Sequence, residues 1–177
     1  MPELRKTVSL TPFFRIMEKE INIKYTAIGG RSELNETEKK LYDAAFEVRE
    51  KAYAPYSSFL VGCALLLENG EIITGSNQEN AAYPSGLCAE RTAIFWASAN
   101  YPDMKIKKLF VIGAPKDAVT SIPVSPCGAC RQSILEYEAK QKENIEIYFA
   151  SMDGEIYKTT SIRDLLPFSF DASFLSN

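Results

Sequence analysis

The 177-residue sequence contains no histidine. That absence excludes Ser-His-Asp and Cys-His catalysis in their usual forms. It also excludes every metal site that depends on imidazole, so any zinc has to be held by Cys, with or without a carboxylate. Cysteine itself is scarce, with four in the chain. No apolar run approaches the roughly 20 residues that cross a bilayer. The opening MPELRKTVSLTPFF lacks a long apolar core, so it does not read as a secretory signal. A cytoplasmic location is the expectation. In that reducing compartment, four cysteines point to metal binding or catalysis before disulfides. A basic excess is missing as well. The net charge is -3, and no Lys/Arg stripe stands out, which argues against a nucleic-acid partner. Neither a membrane nor a nucleic acid is expected as a partner.

What is present describes an ordinary globular chain. Hydrophobic residues make up 46% and charged residues 24%, enough for one domain with its own core. No internal repeat or low-complexity tract interrupts it. A boundary falls near Gly29, Gly30 and Ser32. Residues 1–34 read as an extension of unknown role, apolar at Phe13, Phe14, Ile16, Ile21 and Ile23. Within it, Glu20 to Thr26 alternates apolar and polar, which predicts a short strand. The extension is expected to pack on the body or on a neighbouring subunit.

Residues 35–177 form the second unit. Asn35 followed by Glu38 resembles a capping box, and Leu41, Ala44, Ala45, Val48 and Ala52 recur at helical spacing. Ala54-Pro55 stops that helix. Phe59 to Leu67 and Glu71 to Gly75 flank Asn69-Gly70, a strong hairpin signal. A helix over Leu87 to Ala99, a strand over Ile106 to Ile112 and a helix over Cys127 to Ala139 follow. Strands at Ile145 to Ala150 and Glu155 to Thr159, then a short helix over Ile162 to Leu166, complete the order α-β-β-α-β-α-β-β-α. Such an order predicts an α/β fold, a three-layer α/β/α sandwich around a mixed five-stranded sheet.

Two short motifs carry chemistry: Cys88-Ala89-Glu90 and Pro126-Cys127-Gly128-Ala129-Cys130. Each opens a predicted helix. Cys127 and Cys130 can point at one ion, and Cys88 can supply a third thiolate. The partial positive charge at two helix N-termini offsets some of the crowded negative charge, and Arg91 could offset more. Three protein ligands leave a fourth position for water, the mark of catalytic zinc. Glu90, two residues from Cys88, can stand beside that water as a proton carrier. A lone CxxC is weak evidence by itself. Cys63 is the one spare thiol, and its place in Val61-Gly62-Cys63-Ala64-Leu65 reads as a buried apolar residue. On these residues alone, a structural zinc closed by Cys63 stays open, as does a non-catalytic zinc-stabilised oligomer.

With these motifs in place, the chain resembles the cytidine deaminases, in their small homotetrameric branch with a three-cysteine zinc site. The resemblance runs from about Asn35 to Phe170. It includes Ala54-Pro55-Tyr56-Ser57-Ser58-Phe59, the stretch from Gly75 to Pro84, Cys88 to Ala93, and Leu165-Leu166-Pro167-Phe168-Ser169-Phe170. It implies hydrolytic deamination of cytidine and 2'-deoxycytidine in pyrimidine salvage, with one Zn2+ per chain held by Cys88, Cys127 and Cys130. Glu90 is then the catalytic residue. Phe59 stacks on the base, Asn77 and Glu79 bond the ribose 3'-hydroxyl, and the Ala89 N–H meets the base's O2. Arg91 tunes the charge of the zinc thiolates. Tyr83 and Phe170 complete a neighbouring subunit's pocket in a homotetramer with shared active sites. The departures are the long lead-in of residues 1–34 and Cys63, which stands where a small residue is usual.

Overall fold

The computed structural model describes residues 17–175. Phe13, Phe14 and Ile16 of the extension lie outside the described residues. Helix α1 (Glu36–Arg49) begins at the expected cap. The Asn35 side-chain oxygen accepts from the Glu38 N–H at 3.0 Å, and the Asn35 N–H donates to Glu38 Oε2 at 3.2 Å. Both orphan donors are thereby satisfied reciprocally. Strands β2 (Phe59–Leu67) and β3 (Ile72–Ser76) turn about Gly70, whose φ of 88° favours glycine. Then come α2 (Ala89–Asn100), β4 (Ile106–Pro115), α3 (Gly128–Gln141), β5 (Glu146–Ala150) and β6 (Ile156–Thr159). The last expected helix is a single 3-10 turn, Ile162–Leu165.

The sheet has six strands, not five. The additional one, β1 (Thr26–Ile28), comes from the extension and pairs antiparallel with β6. It shares only Thr26 with the strand expected over Glu20 to Thr26. Strand β6 is four residues long and offers β1 partners from Ile156 to Lys158. Beyond the Thr26–Lys158 pair only Thr159 of β6 remains, too little to pair the stretch from Glu20, and Ile21, Ile23 and Tyr25 stay exposed. In space the order is β1-β6-β5-β4-β2-β3. The neighbours β4 and β5 run parallel, and the other pairs are antiparallel.

Alternation along the strands builds two cores. Cys63, Leu65, Leu67, Leu109, Val111, Ile147 and Phe149 face one side, where Ala93 and Ile94 of α2 and Ile134 and Leu135 of α3 cover them. Ala64, Phe110, Ile112, Tyr148 and Ala150 face the other, under Leu41 and Ala45 of α1. The result is a three-layer sandwich. The parallel pair directs the β4–α3 connection to the edge formed by the carboxyl ends of β4 and β5, the usual place for a site in such sheets. Phe59 pairs with Pro115 at that edge.

One glycine sets how α2 lies there. A Cβ on Gly75 would stand 2.6 Å from Ala93 N and 2.8 Å from Ala89 O, both backbone atoms of α2. Backbone cannot swing aside as a side chain can, so the first turn of α2 would have to move off β3. Gly75→Ala is expected to lower stability by about 1–3 kcal/mol. It should also lower kcat/KM by about 100-fold, because a displacement near 1 Å is enough to spoil catalytic positioning. Urea unfolding and steady-state kinetics on the same variant check both. Unchanged kinetics would show that this contact does not set the helix position.

Candidate active site

The loops and helix starts at this edge enclose a cavity of about 540 Å³. That is room for a small molecule. Its walls include Phe59, Asn77, Glu79, Tyr83, Cys88, Glu90, Arg91 and Cys127. Eight of the residues expected from the sequence are thus brought to one place, although they lie on five separate stretches of chain.

Cys88 and Cys127 are the N-caps of α2 and α3, and both have extended backbones (φ -72°, ψ 156° and φ -67°, ψ 165°). Neither side chain makes a capping hydrogen bond. Both sulfurs are therefore left for other work, beside two helix N-termini that favour negative charge. Cys130, one turn into α3, is fully buried. The three Sγ atoms lie within 4.8 Å of one another, and Cys88 Sγ is 3.8 Å from Cys127 Sγ. A disulfide would bring the sulfurs to about 2.05 Å. Tetrahedral zinc with Zn–S bonds near 2.3 Å spaces its sulfurs by about 3.8 Å, the separation of the Cys88 and Cys127 sulfurs.

The ionisation of the cluster points the same way. The Cys88 thiol is pulled down to about 5, first by its hydrogen bond with Cys130, then by those with Arg91 and Cys127, against burial. The same bond, together with burial, pushes Cys130 up. Thiols this close do not ionise together without a counter-charge, and a dication supplies one. Cys63 belongs to the core between the sheet and α2, fully buried, with its thiol pushed well up by burial and by Glu90. It is not in the cluster, so three sulfurs gather around one point. The donor set fits zinc with an open position.

Glu90 stands on the first turn of α2, 4% exposed. Burial pushes its carboxyl up to about 7, helped by the Cys88 charge and opposed by a backbone hydrogen bond. It can therefore hold or release a proton near neutrality. Arg91 Nη2 donates to Cys88 Sγ at 3.8 Å and to Gly86 O at 3.5 Å. Its Nε is buried and without a hydrogen-bond partner among the described residues. Ala89 is the first residue of α2 and fully buried. The N–H groups of a first helical turn have no intrahelical acceptor, so that of Ala89 is left for another partner.

The remaining expectations divide. Glu79 stands in the cavity wall and accepts from Tyr56 N (2.9 Å), Ser57 N (3.2 Å) and Ser57 Oγ (2.5 Å). Asn77 is partly committed to the fold. Its Oδ1 accepts from Val61 N at 2.8 Å, and its Nδ2 donates to Phe59 O at 2.9 Å. One amide proton and one lone pair are left over. Tyr83 is 74% exposed at the mouth, edge-on to Tyr56 at 5.8 Å. Phe170 does not line the cavity. It lies on the surface, stacked on Phe174 at 5.4 Å, with its carbonyl accepting from Gln132 Nε2 at 2.9 Å.

Sequence reasoning missed several participants. Tyr56, Ser57, Gln78, Val111, Val124 and Ser125 also line the cavity. Arg131 ties down the loop before the cluster, donating from Nε to Pro126 O (2.7 Å), from Nη1 to Leu165 O (2.8 Å) and from Nη2 to Ser125 Oγ (3.0 Å). Its place one turn after Cys127 was the available signal.

Comparisons with known proteins agree with this geometry. A family model described as the cytidine and deoxycytidylate deaminase zinc-binding region matches residues 35–143. A cytidine deaminase of Sporosarcina psychrophila is 44% identical over 137 residues, 77% of this chain and 93% of that protein. One from Halalkalibacterium halodurans is 39% identical over the same length, covering 77% and 96%. The crystal structure of cytidine deaminase from Burkholderia pseudomallei superposes with a TM-score of 0.64 at 42% identity, covering 74% of this chain and 97% of that one. The matched region holds all three clustered thiols and Glu90, and the chain belongs to the cytidine deaminase family of hydrolases.

Proposed function

We propose that this chain hydrolyses cytidine and 2'-deoxycytidine to uridine and 2'-deoxyuridine, releasing ammonia, as a step of pyrimidine salvage. The observation that carries the proposal is the buried Glu90 carboxyl beside three converging thiols, with Glu90, Cys88 and Cys127 opening on a cavity of nucleoside size. One zinc per chain is held by Cys88, Cys127 and Cys130. Bound there, it supplies the Lewis acidity that makes water a nucleophile near neutral pH.

The chain's own groups do the rest. Glu90 takes a proton from the attacking water and delivers it to N3 of the pyrimidine as the water oxygen bonds to C4. It then takes the second proton, from the hydroxyl now on C4, and passes it to the amino nitrogen; the C4–N bond breaks, the C4 carbonyl forms and ammonia leaves. The Ala89 N–H donates to O2 of the base, and the Phe59 ring stacks on its face. Arg91 softens the charge of the thiolates. Glu79 accepts from the ribose 3'-hydroxyl, with Asn77 contributing the capacity left over from its backbone bonds. The exposed Phe170 and the mouth residue Tyr83 serve a neighbouring copy's pocket in a homotetramer. Residues 35–177 form the catalytic domain, and 1–34 form an extension that reaches the sheet through β1. Free thiolates suit a reducing cytoplasm. Among the described residues, no helix is long and apolar enough to cross a membrane.

The test is to mix purified protein with each nucleoside, follow the loss of cytidine absorbance and assay zinc on the same sample. Turnover with about one zinc per chain is expected. A carboxylate at the ribose end repels a 5'-phosphate, so CMP should turn over far more slowly than cytidine. Zinc without turnover of either nucleoside would redirect the proposal to another aminated heterocycle. Neither zinc nor turnover would overturn it.

A further inference from the structure

Glu79 is 22 positions from Ser57 in the sequence, yet its carboxylate is the hub of the turn that contains Ser57. Three donors converge on it: the Tyr56 and Ser57 N–H groups share Oε2, and the Ser57 hydroxyl gives Oε1 a 2.5 Å bond. The hydroxyl works twice, because Ser57 Oγ also accepts from the Phe59 N–H at 3.0 Å. Between them Ser58 sits at φ 53°, a left-handed conformation that a non-glycine residue adopts at some cost. Something has to hold the turn in that shape, and the bonds on either side of Ser58 do so.

We infer that Ser57 is a positioning residue for substrate binding: its hydroxyl locks the Glu79 carboxylate to the backbone of Phe59, so that the ribose-facing and base-facing groups of the pocket are held in one register. The inference rests on the proposed reading of Glu79 as a ribose ligand. All three residues line the cavity. The same bonds favour the carboxylate form: the Ser57 hydroxyl first, and the Tyr56 N–H next, hold the Glu79 carboxyl below the usual range. Without the Ser57 hydroxyl the carboxylate keeps its charge and its two backbone donors on Oε2, but it loses the bond that fixes Oε1. Binding of the 3'-hydroxyl then weakens, while proton transfer at Glu90 does not depend on it.

The test uses the full zinc-loaded enzyme and three variants, Ser57→Ala, Ser57→Thr and Glu79→Ala, each assayed on cytidine and on 3'-deoxycytidine. Ser57→Ala is expected to raise KM for cytidine about tenfold with kcat within about threefold, matching the loss of one hydrogen bond to a charged group. Its effect on 3'-deoxycytidine should be several-fold smaller, because that substrate has no hydroxyl for Glu79 to bind and senses only the Phe59 end of the lock. Ser57→Thr keeps the hydroxyl and should restore cytidine KM. A general weakening of the fold would move both substrates together and lower kcat, and that result would overturn the inference. If Glu79→Ala loses discrimination for the 3'-hydroxyl while Ser57→Ala keeps it, the positioning role falls and the reading of Glu79 stands. If Glu79→Ala discriminates as the parent does, the reading of Glu79 fails and the inference falls with it.

Discussion

Glu90→Gln should bind zinc as the parent does and deaminate cytidine about 10³- to 10⁴-fold more slowly, the range expected for removing a positioned general acid–base. The amide fills the same volume as the carboxyl, so the buried first turn of α2 has no reason to repack; such isosteric changes usually alter stability by less than about 1.5 kcal/mol. Glu90 is not one of the three clustered ligands, so the substitution leaves all three thiols in place. What the amide lacks is a proton to take and return. An acid whose burial brings it to about 7 is matched to both halves of the exchange, from water to N3 and then to the amine. Because the reaction needs that transfer more than once, kcat should fall, with KM little changed. Zinc content, the unfolding midpoint and kcat measured on one preparation decide it. Near-normal turnover, with zinc and fold intact, would remove Glu90 from the mechanism.

The chemistry of this site is legible in the sequence because thiolate clusters and proton carriers are tied to residue type. With no histidine, the zinc reading could fall only on cysteines, and CAE and PCGAC place three of them at helix starts. Local signals carried over in the same way: Asn35 with Glu38, and Asn69-Gly70, act within a few residues of themselves. Contacts made across the sheet did not. The alternation of Glu20 to Thr26 announced a strand, but its length was decided by β6, which is some 130 positions away and only four residues long. Asn77 reads as a free ligand from its neighbours in sequence. The structure commits most of its amide to Phe59 and Val61, because β3 ends beside the start of β2. Ser57 is silent in sequence because its partner Glu79 lies across a hairpin.

Cys127→Ala should carry less than about a tenth of a zinc per chain under conditions that load the parent fully, and its turnover should fall at least ~10³-fold, because the nucleophile depends on the metal. Cys127 separates the metal's contribution from that of packing better than its partners do. Cys130 is fully buried, so truncating it also opens a cavity, and Cys88 bonds Arg91. Cys127 is exposed, and as the N-cap of α3 it makes no side-chain capping bond, so alanine there removes a ligand and little else. Two thiolates with an adjacent carboxylate hold zinc far less well, and Cys63 has no route to replace the third. It faces the core from the middle of β2, and reaching the cluster would mean pulling the strand out of the sheet. The fold should survive with a lower unfolding midpoint. Loss of a ligand present at ~100 times its Kd withdraws about 2.7 kcal/mol, and the hydrophobic faces under α1, α2 and α3 remain. Parent protein stripped with a chelator should reach the same midpoint and the same inactivity, and added zinc should rescue the parent alone. If Cys127→Ala kept both zinc and turnover, the metal would have to sit elsewhere, and the role assigned to the three thiols would fall.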